Sequence, residues 1–297
     1  MRSNRGSICH FSIILFVVLV SNVSARAQTA SPSPTPKPAA SPSLEKEFFK
    51  NILRDQKAIW TSPAHVRGKD APWLVMLGVT TGGFLATDRA TGDDMATHTG
   101  QLDASRIISY AGSIYGVSAE AAGFYLIGRA THNQRARETG ILSAEAIIDS
   151  GIVVTALKEI TQRARPITGK DRSKFFVGGS SFPSGHSIEA WSVATVVANE
   201  YHDHLAVQIA SYALAGAVSV SRFTGLHHYL SDVLVGSAMG YGVGRYVYHA
   251  HHRDNSNSPG GDEEEDETFS RSNRLPAIAP MYNRRMHNYG VALAWSF

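Results

Sequence analysis

Apolar side chains recur at helical spacing through most of this chain, and strand-like alternation is rare. In the first such segment Phe48, Ile52 and Ile59 follow the helical period. Ser43 can cap this helix and Pro63 can stop it. The pattern predicts helices at about 44–60, 72–87, 103–128, 135–163, 186–201, 204–221 and 230–249. The sequence therefore predicts an all-α fold, a helical bundle.

The first residues have the layout of a secretory signal peptide. Arg2 and Arg5 precede the apolar run Phe11–Val20, and the small-residue site Ala25–Ala27 follows it. The alternative interpretation is a retained membrane anchor, but this run of about ten apolar residues is short against the ~20 that span a bilayer. We therefore expect cleavage after Ala27 and export of the mature chain to the periplasm.

Two polar segments and a short tail flank the helical region. Residues 31–43 alternate proline with small residues, and the run Asp262–Glu267 is entirely acidic, so neither favours a packed core. Smaller residues alternate with Tyr289, Val291, Leu293, Trp295 and Phe297, which predicts a strand that docks on the domain or pairs with a partner. The predicted division is a signal peptide at 1–27, a disordered Pro/Ser-rich linker at 28–43, a helical domain at 44–253, an acidic disordered linker at 254–274 and a strand-like tail at 275–297.

Charge and hydropathy exclude some partners. Three of the 28 basic residues lie in the leader, so 25 basic residues match 25 acidic ones in the mature chain and no basic surface for nucleic acid is expected. Polar residues such as Asp149, Gln208 and Asp232 interrupt the apolar helices. With a mean hydropathy of −0.13, the chain is predicted to be soluble or peripheral to the membrane, with an integral membrane protein as the alternative.

The first motif is Lys158, six residues, then Arg165-Pro166. Seven residues are almost two helical turns, so both cations are predicted to project from one face of a helix that Pro166 ends. A lysine and an arginine on one stripe suit a phosphate, as a compact charge and a bidentate fork. Alone, the motif is more typical of a basic helix face paired with surface acids.

The second motif is Pro183-Ser184-Gly185-His186, which follows the glycine- and serine-rich loop 178–181 and opens a predicted helix. Backbone N–H groups at a helix start, a glycine that permits close approach and a serine hydroxyl make an anion site. His186 stands beside that site as a candidate proton donor. The alternative interpretation is a simple capping turn.

The third motif runs from Ser221 to Asp232. If a helix begins near His228, Asp232 shares a face with it and can hold one imidazole nitrogen, which leaves the other free to attack. Arg222 can bind the same phosphate. Adjacent His227 lacks the spacing to both Arg222 and Asp232. A structural His–Asp pair is the alternative for this segment alone.

Together, Lys-x6-Arg-Pro, Pro-Ser-Gly-His and Ser-Arg-x5-His-x3-Asp resemble the type 2 phosphatidic acid phosphatase (PAP2) superfamily, which includes bacterial class A acid phosphatases and vanadium haloperoxidases. The resemblance covers 158–232, and it implies that His228 is the nucleophile, that Asp232 orients it and that His186 protonates the leaving oxygen. It also assigns the binding of the phosphoryl oxygens to five residues: Lys158, Arg165, Ser184, Gly185 and Arg222.

The resemblance implies a phosphatase that works through a phosphohistidine, with neither metal nor other cofactor. The expected substrate is a phosphate monoester or pyrophosphate. Lipid phosphates are preferred by resemblance only, and a broad-specificity soluble acid phosphatase is the close alternative. A vanadium-dependent haloperoxidase and a non-catalytic binding protein are more distant alternatives. A contact with the membrane surface follows from the lipid preference.

Two further groups of polar residues resemble metal ligands. His249, His251 and His252 have no partner cysteine or second histidine pair at ligand spacing, so a solvated helix end is predicted. Asp88 and Asp93–Asp94 lack the closing glutamate of a calcium loop, so a polar loop is predicted.

Overall fold

A computed structural model describes residues 44–97, 100–167, 172–252, 277–283 and 288–294. The chain divides into two compact units, 1–253 and 254–297. The predicted signal peptide, both predicted linkers and the cap at Ser43 lie outside the described residues. The domain boundaries therefore stay predictions.

The all-α prediction is confirmed for the first unit. Its described residues form eight α-helices: α1 (Leu44–Thr61), α2 (Ala71–Met95), α3 (Leu102–Ala111), α4 (Ile114–Ala130), α5 (Gln134–Thr161), α6 (Gly185–Glu200), α7 (Leu205–Thr224) and α8 (Leu230–His251). Two short 3₁₀ helices, Ser62–His65 and Gly68–Asp70, join α1 to α2. The helical period therefore located every main element of this unit.

Two predictions about these elements are wrong. The single helix expected at 103–128 is split into α3 and α4, because Ser113 caps a new helix by accepting a hydrogen bond from the Gly116 N–H. The polar loop expected around Asp88 is the last part of α2, which runs to Met95. Asp88 is fully buried there, so it needs a partner inside the protein.

Helix α6 lies at the centre of the bundle and contacts α4, α5, α7 and α8. Its buried apolar residues cluster with all four neighbours: Val193 with Val117 of α4, Ile188 with Val153 of α5, Ala194 with Val218 of α7 and Val196 with Val247 of α8. Each fully buried aliphatic side chain of this kind contributes about 1.5–3 kcal/mol. The core therefore fixes α6, and with it the second motif, among the helices that carry the other motifs.

A stripe of glycines brings α8 unusually close to α6. Gly236, Gly240 and Gly244 follow one another at four-residue spacing along α8. A Cβ on Gly236 would lie 2.6 Å from the Ser184 main-chain oxygen, and one on Gly240 would lie 2.3 Å from that of Ile188. Any larger residue would separate the helices. The stripe therefore places the first turns of α6 and α8, where two motifs lie, side by side.

Of the helices that the structure describes, two are long and apolar enough to cross a membrane, α5 and α7. The apolar window of α5 is 61% buried inside the protein, as expected of a core helix, whereas that of α7 is only 28% buried. Leu205, Ile209 and Val220 of α7 are exposed, and so are Trp73 and Val79 of α2. These outward apolar side chains make association with a membrane plausible.

The second unit contains an antiparallel hairpin of β1 (Ala277–Asn283) and β2 (Asn288–Ala294). The predicted alternation at 289–293 lies in β2, and Met281 faces Gly290 in the register. The partner of this strand, β1, was not predicted, since Pro280 interrupts its pattern. Trp295 and Phe297 lie outside the described residues.

Candidate active site

The predicted site residues come from the ends of four neighbouring helices. Lys158 lies in the last turn of α5, Gly185 and His186 in the first turn of α6, Arg222 in the last turn of α7 and Asp232 in the first turn of α8, while Arg165, Ser184 and His228 lie in the adjoining loops. The structure thus brings the three motifs to one place, across segments far apart in the chain.

His228 is buried, with only 2% of its surface exposed. Its Nδ1 lies 2.7 Å from the main-chain oxygen of Ser181 and 3.7 Å from Oδ2 of Asp232. The carbonyl is thus the hydrogen-bond acceptor, and it holds the proton on Nδ1. Nε2 keeps its lone pair. Helix α8 begins only at Leu230, so His228 precedes the helix and the predicted shared helical face does not form.

Asp232 acts on His228 mainly through Ser181. Its carboxylate accepts hydrogen bonds from the Ser181 hydroxyl at 2.5 Å, from the Tyr229 N–H at 2.9 Å and from Arg163 Nη1 at 2.5 Å. Burial alone would raise the pKa of Asp232, but its contacts with His228, Arg163 and Ser181 together lower it. The carboxylate therefore stays charged and fixes the residue whose carbonyl orients His228.

Arg163 and Asp88 support the site and were missed by sequence reasoning. Arg163 is fully buried, and its Nη2 lies 2.9 Å from Oδ2 of Asp88. Its guanidinium carbon lies 4.8 Å from the ring centroid of Phe175 and 4.6 Å from that of Tyr229. With Asp232 on its other nitrogen, Arg163 has two carboxylates. The position of Arg163 between Lys158 and Arg165 could have marked it as a site residue, whereas nothing in the sequence around Asp88 pointed to the site.

The first motif does not form one helical face. Helix α5 ends at Thr161, and Gln162 takes the left-handed conformation with φ 45° while its N–H bonds to the Lys158 oxygen at 2.9 Å. Arg165 therefore lies beyond the helix, and Pro166 does not end it. The chain turns back after Gln162, so the charge of Arg165 still acts on His228.

The second motif forms the start of α6 as predicted. The Ser184 hydroxyl caps the helix by accepting from the Ser187 N–H at 3.4 Å and from the Ser187 hydroxyl at 2.9 Å. The N–H groups of Gly185 and His186, as first-turn donors, have no acceptor within the helix. A Cβ on Gly185 would lie 3.3 Å from Lys158 Nζ, so the glycine keeps this lysine close to the free donors.

Both candidate catalytic histidines, His186 and His228, are uncharged at neutral pH. The pKa of His186 is lowered to about 3, first by burial and then by the charges of Arg222, His228 and Lys158. The pKa of His228 is lowered to about 4, first by burial, and its contact with Asp232 offsets part of that shift. Burial and the positive charge of the neighbouring cations thus keep both imidazoles unprotonated.

Two of the cations in the site have no carboxylate partner. Among the residues that the structure describes, neither Lys158 nor Arg222 forms an ion pair within 4.0 Å, although Arg222 is only 6% exposed. Arg163, by contrast, pairs with two acids. A buried cation without a counter-ion is unfavourable. Lys158 and Arg222 therefore form a pocket suited to an anion.

The sequence model of the PAP2 superfamily matches residues 140–256. This segment contains all the predicted site residues, and the match confirms the predicted resemblance to that superfamily over these residues. Over 70 residues the chain is 37% identical to the lipid A 1-phosphatase of Porphyromonas gingivalis, a match that covers 23% of this chain and only 16% of that protein.

The chain is also similar to two solved bacterial structures. The first transmembrane PAP2 type phosphatidylglycerolphosphate phosphatase from Bacillus subtilis has a TM-score of 0.45 and 23% sequence identity, and the match covers 69% of this chain and 94% of that one. LpxE of Aquifex aeolicus has a TM-score of 0.43 and 20% identity, and the match covers 56% of this chain and 94% of that one.

Proposed function

We propose that this chain is an exported phosphatase that hydrolyses phosphate monoesters or diphosphates of lipids through a phosphohistidine on His228. The observation that carries the proposal is the pairing of an anchored imidazole with an unneutralised cation pocket. The Nδ1 of His228 is held by the Ser181 carbonyl at 2.7 Å, so its Nε2 is available as a nucleophile. Lys158 and Arg222 supply the charge that a phosphoryl group needs.

The reaction has two displacements at phosphorus. In the first, Nε2 of His228 forms a bond to phosphorus while the bond to the leaving oxygen breaks, and His186 donates a proton to that oxygen. In the second, water attacks the phosphohistidine, neutral His186 takes a proton from the water and the bond to His228 breaks. Free phosphate and the alcohol leave, and no metal takes part. Arg165 and the donors at Gly185 hold the phosphoryl oxygens in both steps.

The proton that His186 donates needs a source, because this residue is neutral in the substrate-free protein. Its pKa of about 3 reflects burial and the surrounding cations. A phosphate monoester has a second pKa of about 6, so its monoanion carries one proton into the site below that pH. The phosphate charge also compensates for Lys158 and Arg222, which favours transfer of that proton to His186.

A lipid substrate is supported by the loop that precedes the second motif. Phe176 is 75% exposed, and its N–H bonds to the Thr161 oxygen at 2.9 Å, which places it beside the end of α5. Val177 and Ile167, which also follow the first motif in the chain, are exposed as well. Exposed apolar side chains in loops next to the phosphate-binding motifs suit a lipid phosphate whose acyl chains remain in the bilayer.

The experiment compares a lipid phosphate in detergent micelles with a soluble aryl phosphate. Phe176→Asn tolerates the left-handed backbone there, with φ 61°, and should lower kcat/KM for the lipid while leaving the aryl phosphate unchanged. Phe49→Asn, at an equally exposed residue on α1, should change neither. Equal loss on both substrates, or a wild-type preference for the aryl phosphate, would favour a broad-specificity acid phosphatase instead.

A further inference from the structure

A second cluster of titratable residues lies where α1, α5 and α8 meet. It consists of Asp55 of α1, Glu145 of α5 and His251 of α8, all of them buried. The prediction of a solvated helix end is therefore wrong for His251, which is only 7% exposed. The reason is that α1 covers the C-terminal end of α8, a contact that joins residues 196 positions apart.

The three side chains converge on one point. Nε2 of His251 lies 2.8 Å from both carboxylate oxygens of Asp55, and one ligand atom from each of the three residues lies within 4.8 Å of the others. Oε1 of Glu145 accepts a hydrogen bond from Asn51 at 3.1 Å. Its Oε2, equally buried, has no hydrogen-bond partner among the described residues. A fully buried carboxylate oxygen without a partner indicates a missing ligand.

The cluster also lacks positive charge. A third acid, Asp149, is fully buried one helical turn after Glu145, and Gln56 donates to its Oδ1 at 2.8 Å. In the part of the chain that the structure describes, no lysine or arginine forms an ion pair with Asp55, Glu145 or Asp149. Among the described residues, the ion pair of this cluster is the one between His251 and Asp55.

We propose that Asp55, Glu145 and His251 bind one divalent transition-metal ion, Zn²⁺ or Mn²⁺. One imidazole and two carboxylates match the ligand preferences of these ions, while Ca²⁺ and Mg²⁺ favour all-oxygen sites. The ion replaces the proton between His251 Nε2 and Asp55, and the free Oε2 of Glu145 becomes its third protein ligand. Asn51 then orients Glu145 from the second layer of the site.

This site is structural and separate from the phosphate chemistry. Asp232 and His251 lie at opposite ends of α8, 19 residues apart, which is about 28 Å along a helix. The ion cannot therefore contact a substrate at His228. Its ligands come from three helices, so its binding fixes α1 onto α5 and α8.

The test is a titration of the purified full chain with metal ions after removal of metal by a chelator. We expect one equivalent of Zn²⁺ or Mn²⁺ per chain in calorimetry, and a visible d–d absorption band when Co²⁺ is used as the probe. At a free metal concentration about 100-fold above Kd, the midpoint of thermal unfolding should rise by about 5–10 °C. The kcat of the folded protein should not change.

Matched variants locate the ion. His251→Gln and Glu145→Gln should lose the Co²⁺ band and the thermal shift, whereas His249→Gln and Glu159→Gln, at exposed residues of the same two helices, should keep both. If the metal-free wild-type chain binds none of these ions at one equivalent, the proposal is wrong and His251 and Asp55 form only an ion pair. Unchanged binding by His251→Gln would overturn it too, as would a fall in kcat on metal removal.

Discussion

The two ends of α8 collect titratable side chains of opposite kind, cations at one end and acids at the other. At its N-terminal end Lys158 and Arg222 have no carboxylate partner among the described residues, whereas at its C-terminal end Asp55, Glu145 and Asp149 have only His251. Buried charge that the protein leaves unpaired is costly. The sign of the unpaired side chains therefore indicates the charge of the ligand. We expect an anion at the N-terminal end of α8 and a cation at its C-terminal end.

A third group shows buried charges that are all paired or hydrogen-bonded inside the protein. Arg163, Asp88 and Asp232 are fully buried, and their charges are paired through hydrogen bonds on both sides of the guanidinium. Arg163 carries one positive charge against two carboxylates, but hydrogen bonds from Ser181, the Tyr229 N–H and Ser231 also hold these carboxylates, so we assign the group to positioning. The comparison separates residues that bind a ligand from residues that position the site. Each of the following substitutions or measurements tests one of these two groups.

The largest expected effect comes from His228→Asn. The asparagine amide can still donate to the Ser181 carbonyl, but it provides no nucleophile, so kcat should fall by about 10⁴-fold or more. His227→Asn, at the neighbouring half-buried histidine, is the matched control and should change kcat by less than about tenfold. Steady-state assays of both variants provide the measurement. A small loss in His228→Asn would contradict the proposed nucleophile.

Arg163→Lys should lower the free energy of unfolding by about 3–5 kcal/mol, since a lysine cannot reach both Asp88 and Asp232 and a buried carboxylate is left unpaired. Arg172→Lys breaks the geometry of an exposed ion pair with Asp93 and should cost only about 0–1 kcal/mol. Denaturant unfolding of both variants measures the difference. An equal loss of unfolding free energy in both variants would show that the pairing of Arg163 with Asp88 and Asp232 does not stabilise the site.

The pH profile of kcat/KM should have two limbs. Below pH about 4, protonation of His228 removes the nucleophile, so the rate should fall tenfold per pH unit. Above pH about 6, loss of the proton from the substrate monoanion should lower it tenfold per unit. A substrate with a lower second phosphate pKa should shift the upper limb to lower pH by the same amount. A flat profile from pH 4 to 9 would contradict the proposed proton supply to His186, and a constant rate below pH 4 would contradict the role of His228.

The smallest effect concerns the helix that joins the two ends. Gly240→Ala places a Cβ against the main chain of α6 and should cost about 1–3 kcal/mol of stability. Gly242→Ala, with nothing within 4 Å, should be neutral or stabilise the helix by up to about 1 kcal/mol. Thermal unfolding compares the two. Similar midpoints would show that close packing of α6 on α8 is not required.

The sequence predicted the helices and the three motifs because both are local signals. The apolar period locates α5, α6 and α8 within a few residues, and the fixed spacings single out His228 among its neighbours. The interruption between α3 and α4 escaped this reasoning, since it depends on a contact across the fold: a Cβ on Gly112 would lie 2.1 Å from Val218.

The partners that hold the site could not be predicted, because they are distant in the chain. Asp88 lies 75 residues from Arg163, and Asp55 lies 196 residues from His251. In sequence, Asp55 looks like a solvated residue on a helix face, and Asp88 looks like part of a polar loop. The carbonyl of Ser181 likewise carries no side-chain signal, and only the fold shows that it accepts the Nδ1 proton of His228.

The most direct test of the account is to trap the intermediate. A lipid substrate with a labelled phosphate is mixed with the enzyme, the reaction is quenched in alkali, where phosphohistidine is stable, and the labelled peptide is identified by mass spectrometry. The account predicts label on His228 in the wild-type chain and none in His228→Asn. Label on a peptide that lacks His228 would contradict it.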